Sequence, residues 1–301
     1  MILVVGASGM LGGMIAHQLL AQGKQVRVLL RHNSPAMAMA AQGMATNPQS
    51  LLDAGAEAVY GDLKDRASLD AACAGVETVI TTANAALRGG EDTFETVDRQ
   101  GTQHLIDAAR AQGVQQFIYM SANGSDPQHP HPLFSAKGAC EAYLQESGLT
   151  YTILKPGVFM EVWIGTVIGM PLQAQQPITL IGEGKTKHAF VSMGDVAAYA
   201  VTAVHNPDAF NQTIYIGGPA SYSWIEVVKA VETAVGLPLP VNFVAPGAPV
   251  PLLPPDMIPM MVGLEMADAY IGMEQTAALY KITPTPLAAF AQRFFGNGHT
   301  G

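Results

Sequence analysis

Charge is scarce in this sequence: Asp, Glu, Lys and Arg together make up 13% of its 301 residues. Cations are scarcer than anions. Fifteen Lys and Arg stand against 24 Asp and Glu, a net of 15 − 24 = −9, and basic residues nowhere form a run. Gripping a phosphate backbone takes clustered positive charge, so nucleic acid is not expected as a direct partner. Only two cysteines occur, Cys73 and Cys140, without CxxC or Cys/His ligand spacing. Neither a disulfide framework nor a metal site is therefore expected, and a reducing compartment fits. A clean apolar run of about twenty residues, the length a membrane-spanning helix needs, is also lacking. The two stretches that come nearest, "YTILKPGVFMEVWIGTVIGM" and "PVPLLPPDMIPMMVGLEM", are broken by Pro and acidic residues. The opening "MILVVG" reads as a buried strand and leaves no room for the charged start of a signal peptide. A cytoplasmic protein is the expectation.

What is present is aliphatic periodicity. The chain is 49% hydrophobic. Its first half alternates short β-rich runs, "MILVV", "KQVRVLL", "AEAVYG", "ETVITTA", "QQFIYMSA" and "LTYTILKPG", with amphipathic stretches. Leu11, Ile15 and Leu19 recur at four-residue spacing, and "TFETVDRQGTQHLIDAARAQG" turns Leu105, Ala108 and Ala109 to one face. Apolar strands joined by helices imply a parallel sheet covered on both faces. The predicted fold class is therefore α/β: a Rossmann-type doubly wound sheet of order 3-2-1-4-5-6, with a small C-terminal substrate lobe. Residues 1–155 form the core and 156–301 the smaller lobe, with a soft boundary because later segments read as returning to the sheet edge. "LPLPVNFVAPGAPVPLLPPDMIPMMVG" reads as an irregular connection ending in a Met-bearing helical segment.

The strongest chemical signal is "GASGMLGG" after the first strand. Gly6 permits the sharp turn, Gly9 lets backbone approach a pyrophosphate, and Gly12 lets the helix pack closely on the strand. The positive end of that helix then faces phosphates, so Gly6, Ser8, Gly9, Met10, Leu11 and Gly12 are the expected cradle of a dinucleotide. About twenty residues past such glycines an acid suits a ribose 2′-hydroxyl, whereas a guanidinium suits a 2′-phosphate. That position holds Arg31, in "VLLRHNS", followed by His32, Asn33 and Ser34. NADP(H) is preferred over NAD(H).

"GASGMLG", "VYGDLKD", "TTAN", "FIYMSA" and "YTILKPGVFME" together resemble the NmrA-like branch of the atypical short-chain dehydrogenases/reductases. The resemblance is specific over the first 160 residues and vague beyond about 230. It implies that Asp62 and Leu63 contact the adenine, that Thr82, Ala83 and Asn84 line the ribose and diphosphate, and that Ser121 sits beside the nicotinamide. It further implies that Pro156, Gly157, Val158 and Phe159 pass under the carboxamide. On composition alone, Asp62 reads as a helix-cap or turn aspartate in "GDLKD", and only its shared register with the other motifs points to the adenine.

Lys137, the lone cation of "HPLFSAKGACE", matches the lysine that binds the nicotinamide ribose in ordinary short-chain dehydrogenases. Four residues before it those enzymes carry a general-acid Tyr. Here the position is Leu133. Without that phenol, carbonyl/alcohol interconversion by the usual route is disfavoured. A quinone-like or conjugated acceptor, whose reduced form takes protons from water, fits better. Lys137 and Ser121 are the catalytic candidates, and the alternative for Lys137 is a helix-surface lysine. His129 and His131 are alternative proton relays or parts of an exposed turn. Tyr143 reads as core, and Cys140 reads as a buried thiol or, one turn from Lys137, a thiolate. His131, Phe159, Met160 and Trp163 are assigned to an apolar pocket suited to an aromatic small molecule, and the Met stripe to its wall or to core. The leading function is an NADPH-dependent oxidoreductase. The alternative is a non-catalytic NADP(H) sensor acting through a protein partner. A nucleotide-sugar epimerase suffers most from the missing Tyr, and a homo-oligomer stays open.

Overall fold

The computed structural model describes residues 1–32, 40, 43, 45–86 and 88–296. Asn33 and Ser34 lie outside the described residues. The chain divides into two compact units, Met1–Lys155 with Val196–Tyr215, and Pro156–Asp195 with Ile216–Gly301.

The six apolar runs become strands β1 (Ile2–Val5), β2 (Val26–Leu30), β3 (Glu57–Tyr60), β4 (Thr78–Thr81), β5 (Gln116–Met120) and β6 (Thr150–Pro156). A later strand, β7 (Gln212–Ile216), joins the edge beside β6. The sheet order is β7-β6-β5-β4-β1-β2-β3, the expected doubly wound order with one strand added. β1 pairs in parallel with β2, Ile2 opposite Val26, and on its other side with β4, Ile2 opposite Thr78. The chain therefore reverses its direction of travel across the sheet between β1 and β4, and the ends of those two strands form the crevice where such sheets take ligands.

Burial explains why these elements form. All four residues of β1 are buried, and so are Leu11, Ile15 and Leu19 on the helix Met10–Ala21. Leu3, Val79, Phe117 and Ile153 from the strands meet Leu69, Leu105, Ala109 and Leu144 from the covering helices. Each large side chain so enclosed contributes roughly 1.5–3 kcal/mol relative to exposure. Short polar residues start the helices: Asn47 accepts from the Gln49 amide and Asp65 from the Ala67 amide. Thr93 and Thr96 form a reciprocal cap for Phe94–Gly101, which winds with π-helical spacing before passing into the α-helix Thr102–Ala111.

In the second unit Met160, Ile164, Ile168, Leu180, Phe190, Trp224, Val231, Met261 and Phe290 share a core. The Pro-rich stretch is less irregular than its composition predicts. Val241–Val244 inside it is a strand paired in parallel with Ile178–Ile181, and only then does the chain reach the helix Ile258–Leu264. Of the methionines there, Met257 and Met261 are buried and Met266 is exposed. No helix of the described residues is long and apolar enough to cross a membrane.

His188 is fully buried in this core, edge-on to Phe190 and close to Trp224. Burial pushes its imidazole down to about 4, against the opposing pull of Asp268. Glu265, whose Oε1 lies 3.9 Å from Nε2, is pushed upward by its own burial. Between pH 6.5 and about 4 an unfolded histidine takes a proton that the folded one refuses, so this residue makes stability fall as pH falls. Glu265 acts in the opposite sense, which makes a paired comparison necessary. Urea unfolding of His188→Phe should show a loss between pH 7 and pH 5 smaller than that of the unmodified protein by about 2 kcal/mol. Equal losses would place the acid-sensitive group elsewhere.

Candidate functional site

The site is built on contacts that only glycine permits. Gly6, with φ +89°, ends β1, and a Cβ there would lie 2.7 Å from Thr82 Oγ1 and 2.9 Å from the Ala83 amide nitrogen. A Cβ on Gly12 would run into the Gly6 carbonyl, and one on Gly13 into Thr46. Thr46 closes the other side of the turn, its amide donating to the Ser8 carbonyl at 3.0 Å and its hydroxyl to the Gly9 carbonyl at 3.1 Å. Gly13 and Thr46 were not visible as partners in the sequence, because they lie 33 positions apart.

The helix that follows has Gly9 at its N-cap, with no side-chain cap and no acidic residue in its first turn. The amides of Met10, Leu11 and Gly12 thus lack carbonyl partners one turn back and present partial positive charge. Beside them opens a cleft lined by Gly6, Ser8, Arg31, Asp62, Leu63, Ala83 and Arg88, enclosing about 380 Å³ including the solvent at its mouth. A Cβ-free cradle, uncapped amides and cationic walls fit a phosphorylated nucleotide.

Asp62 serves the turn and the cleft together: its Oδ1 accepts from the Lys64 amide at 2.9 Å while the residue lines the wall. Leu63 is buried, Ala83 is buried, and Asn84 caps the Ala86 amide at 3.0 Å. Arg31 is not a free surface arginine. Its Nη1 donates to Asp92 Oδ2 at 2.7 Å, Lys64 Nζ donates to Oδ1 at 2.5 Å, and Arg88 Nη1 stands 3.6 Å from Oδ2. Burial raises the Asp92 carboxyl, but the Lys64 hydrogen bond and the charges of Lys64, Arg31 and Arg88 outweigh it and hold the group below its ordinary range. Burial lowers Arg88, and the neighbouring Arg31 lowers it further. Sequence reasoning found Arg31 and missed the other three. The spacing of Arg88 and Asp92, four apart, was the one available sign.

Lys137 is buried, with 7% of its surface exposed, which removes the helix-surface alternative. Its ammonium donates to the Met120 carbonyl at 2.9 Å and lies 5.4 Å from the centre of the Tyr119 ring. Burial lowers its pKa, while Asp98, Cys140 and Glu141 pull it back up. Asp98 is itself 1% exposed: Oδ2 accepts from the Ala85 amide at 2.9 Å, and burial raises its carboxyl against the pull of Lys137.

Ser121, also buried, donates to Glu141 Oε1, and the other Glu141 oxygen accepts from Lys155 Nζ at 2.8 Å. Lys155 donates further to the Ser125 carbonyl at 3.1 Å. Glu141 and Lys155 went unmarked in the sequence, although Glu141 lies one helical turn past Lys137 and Lys155 directly precedes Pro156.

The other candidates have structural partners. His131 caps the helix Pro132–Glu146 by accepting from the Leu133 amide at 3.2 Å, and His129 accepts from the His131 amide at 3.0 Å. The Tyr143 hydroxyl donates to Asp107 at 2.9 Å. Burial pushes the Cys140 thiol up to about 12, with the Sγ donating to the Asp98 carbonyl at 3.2 Å, so the thiolate reading gives way to the buried thiol. In the second unit the Gly157 amide donates to the Ile216 carbonyl and the Val158 amide to the Ala189 carbonyl, both at 2.9 Å. Pro156 ends β6, and Phe159 is half-buried beside Val158. Met160 and Trp163 are core residues of that unit, and Met160 exposes nothing.

Two substitutions read this arrangement. Gly12→Ala should lower stability by about 1–3 kcal/mol, the usual penalty of forcing atoms into packed space, in a thermal or urea melt. Glu141→Ala leaves the buried Lys155 ammonium without its carboxylate and should cost about 3–5 kcal/mol. A neutral Gly12 variant would mean that the helix and turn separate easily.

The NmrA-like family model matches residues 1–289. Photosystem II assembly factor Ycf39 of Cyanophora paradoxa is 30% identical over 235 residues, 78% of this chain and 68% of that protein. An NAD(P)H azoreductase of Xenophilus azovorans is 28% identical over 310 residues, 99% of this chain and 98% of that protein. Among solved structures, the NADPH-dependent quinone oxidoreductase QOR2 of Escherichia coli, complexed with NADPH, matches with a TM-score of 0.77 at 22% identity, covering 98% of this chain and 100% of that one, a likeness of fold. The glycine cradle, the strand order and a family match that takes in both units lead to one assignment: the chain belongs to the NmrA-like family.

Proposed function

We propose that this protein binds NADP(H) and acts as an oxidoreductase on a quinone-like or otherwise conjugated small molecule. The observation that carries the first part is the pairing of a glycine cradle with a cationic wall. Gly6, Gly12 and Gly13 admit no Cβ, and Arg31, Lys64 and Arg88 gather beside the cleft. In this reading Ser8 to Gly12 hold the pyrophosphate, Asp62 and Leu63 the adenine, Thr82 to Asn84 the ribose side, and Arg31 the 2′-phosphate. Lys137, anchored on the Met120 carbonyl, holds the nicotinamide ribose. Ser121 borders the nicotinamide, and His131 borders the acceptor.

When bound, the reduced nicotinamide supplies the hydride. The residues of this chain orient it and set the charge around it. What they do not supply is an obvious acid: Leu133 stands where a phenol would, and the Ser121 hydroxyl is donated to Glu141. Acceptors whose reduced oxygens or nitrogens protonate from water suit such a site. The azoreductase and the quinone oxidoreductase among the similar proteins support that substrate class.

The same missing acid supports a second reading, a nucleotide-binding regulator that works through a protein partner. The likeness to an assembly factor favours it too.

Calorimetry should show NADPH binding more tightly than NADH. Arg31→Ala should weaken NADPH by about tenfold or more, as expected for loss of a charge-assisted hydrogen bond, and leave NADH unchanged. Equal losses for both would reject the phosphate role. A panel of quinones and azo dyes, followed by the absorbance of reduced nicotinamide, separates the two readings. Turnover that falls in Lys137→Ala supports the enzyme. Tight binding without oxidation of NADPH by any acceptor supports the regulator.

A further inference from the structure

The carboxylate of Asp92 occupies the centre of the cationic cluster. Arg31 follows β2, Lys64 follows β3 and Arg88 follows β4, so three separate strand ends each bring one cation to a single acid. Asp62 and Glu91 also lie in the field of Lys64. Neither carboxylate accepts a hydrogen bond from the side chains of the three cations: Asp62 is turned to the Lys64 amide. Two guanidiniums and an ammonium packed this closely repel one another, and Arg88 registers the repulsion of Arg31 directly. An anion among them is required for the cluster to persist. A phosphate monoester, with a charge of about −1.5 to −2 at neutral pH, is the stronger candidate for that place. A carboxylate and a phosphate on the same guanidinium nitrogen would repel in turn.

We propose that Asp92 is an internal stand-in for the 2′-phosphate: it holds Arg31, Lys64 and Arg88 together before the nucleotide arrives and is displaced when the phosphate binds. This inference rests on the NADP(H) reading given above. Asp92 thereby sets how strongly the protein prefers NADP(H) over NAD(H), because only the phosphorylated nucleotide must evict it. The surrounding chain is built to let it go. Gly89 and Gly90, both at positive φ (+70° and +64°), form the turn before Asp92, whose amide donates to the Gly89 carbonyl. Immediately after it, Thr93 and Thr96 cap the next helix, and the Thr96 hydroxyl donates to the Glu91 carbonyl at 2.7 Å. Asp92 sits between a glycine pivot and a fixed helix end, so its side chain can withdraw without disturbing the helix.

The test is Asp92→Asn, which keeps the shape and removes the charge. With the competitor neutralised, calorimetry should show NADPH binding tighter by about tenfold, with NADH unchanged within twofold. Weaker NADPH binding would mean that Asp92 stays among the cations and supports the bound nucleotide instead of giving way to it, and would overturn the proposal. So would no change, or equal shifts for both nucleotides. If the unmodified protein binds neither nucleotide, the NADP(H) reading fails on its own, and inorganic phosphate then becomes the probe. A rise in melting temperature with millimolar phosphate in Asp92→Asn, absent in the unmodified protein, sustains the stand-in role, and no rise ends it. Asp92→Ser, smaller and also neutral, gives the same reading should the Asn variant not fold.

Discussion

The approach of backbone to backbone at the end of β1 is the constraint on which the rest depends. The Gly6 turn lies against Thr82 and Ala83 at the end of β4, and Gly12 brings the first helix onto the Gly6 carbonyl. Because β1 and β4 are neighbours at the point where the sheet reverses its winding, this contact creates the crevice and aims an uncapped helix end into it. Any side chain at Gly6 or Gly12 would push apart the parts that the ligand must bridge. The fold and the site therefore share one steric requirement.

Charge in this protein is sparse but concentrated. Several of the 15 cations are committed to one cleft wall or to the buried positions behind β5 and β6, where Lys137 is held by a carbonyl and Lys155 by Glu141. Enclosed ammonium groups are expensive unless bonded, and each of these is bonded. The two thiols follow the opposite rule: Cys73 and Cys140 are buried without a cationic partner strong enough to ionise them, and both are pushed up to about 12. Site and core thus divide the polar groups by what surrounds each one.

Much of the fold was legible because burial leaves a periodic trace. Six apolar runs became six strands in the expected order, and Leu105, Ala108 and Ala109 point inward as their spacing implies. The strand Val241–Val244 was hidden because proline density masked four residues whose pairing lies 63 positions upstream. Of the site, the glycines and Arg31 could be found because one backbone turn and one strand end suffice to place them. Asp92, Lys64 and Arg88 were missed: beyond the four-residue spacing of Arg88 and Asp92, nothing local distinguishes a cation that meets others from one that meets water. Met160 and Trp163 are buried, and sequence alone does not separate an apolar residue packed in core from one that lines an opening.

By itself the sequence determined the doubly wound sheet and the glycine turn after its first strand, since the alternation of apolar runs with amphipathic stretches and the glycine spacing are patterns written along the chain. Tertiary structure decided the partners of the charges: Arg31 with Asp92, Ser121 with Glu141 and Lys155, Lys137 with the Met120 carbonyl. Those pairings join residues from 14 to 61 positions apart. Electrostatic strength depends on separation in space and on exclusion of water, and neither is written in the order of the residues.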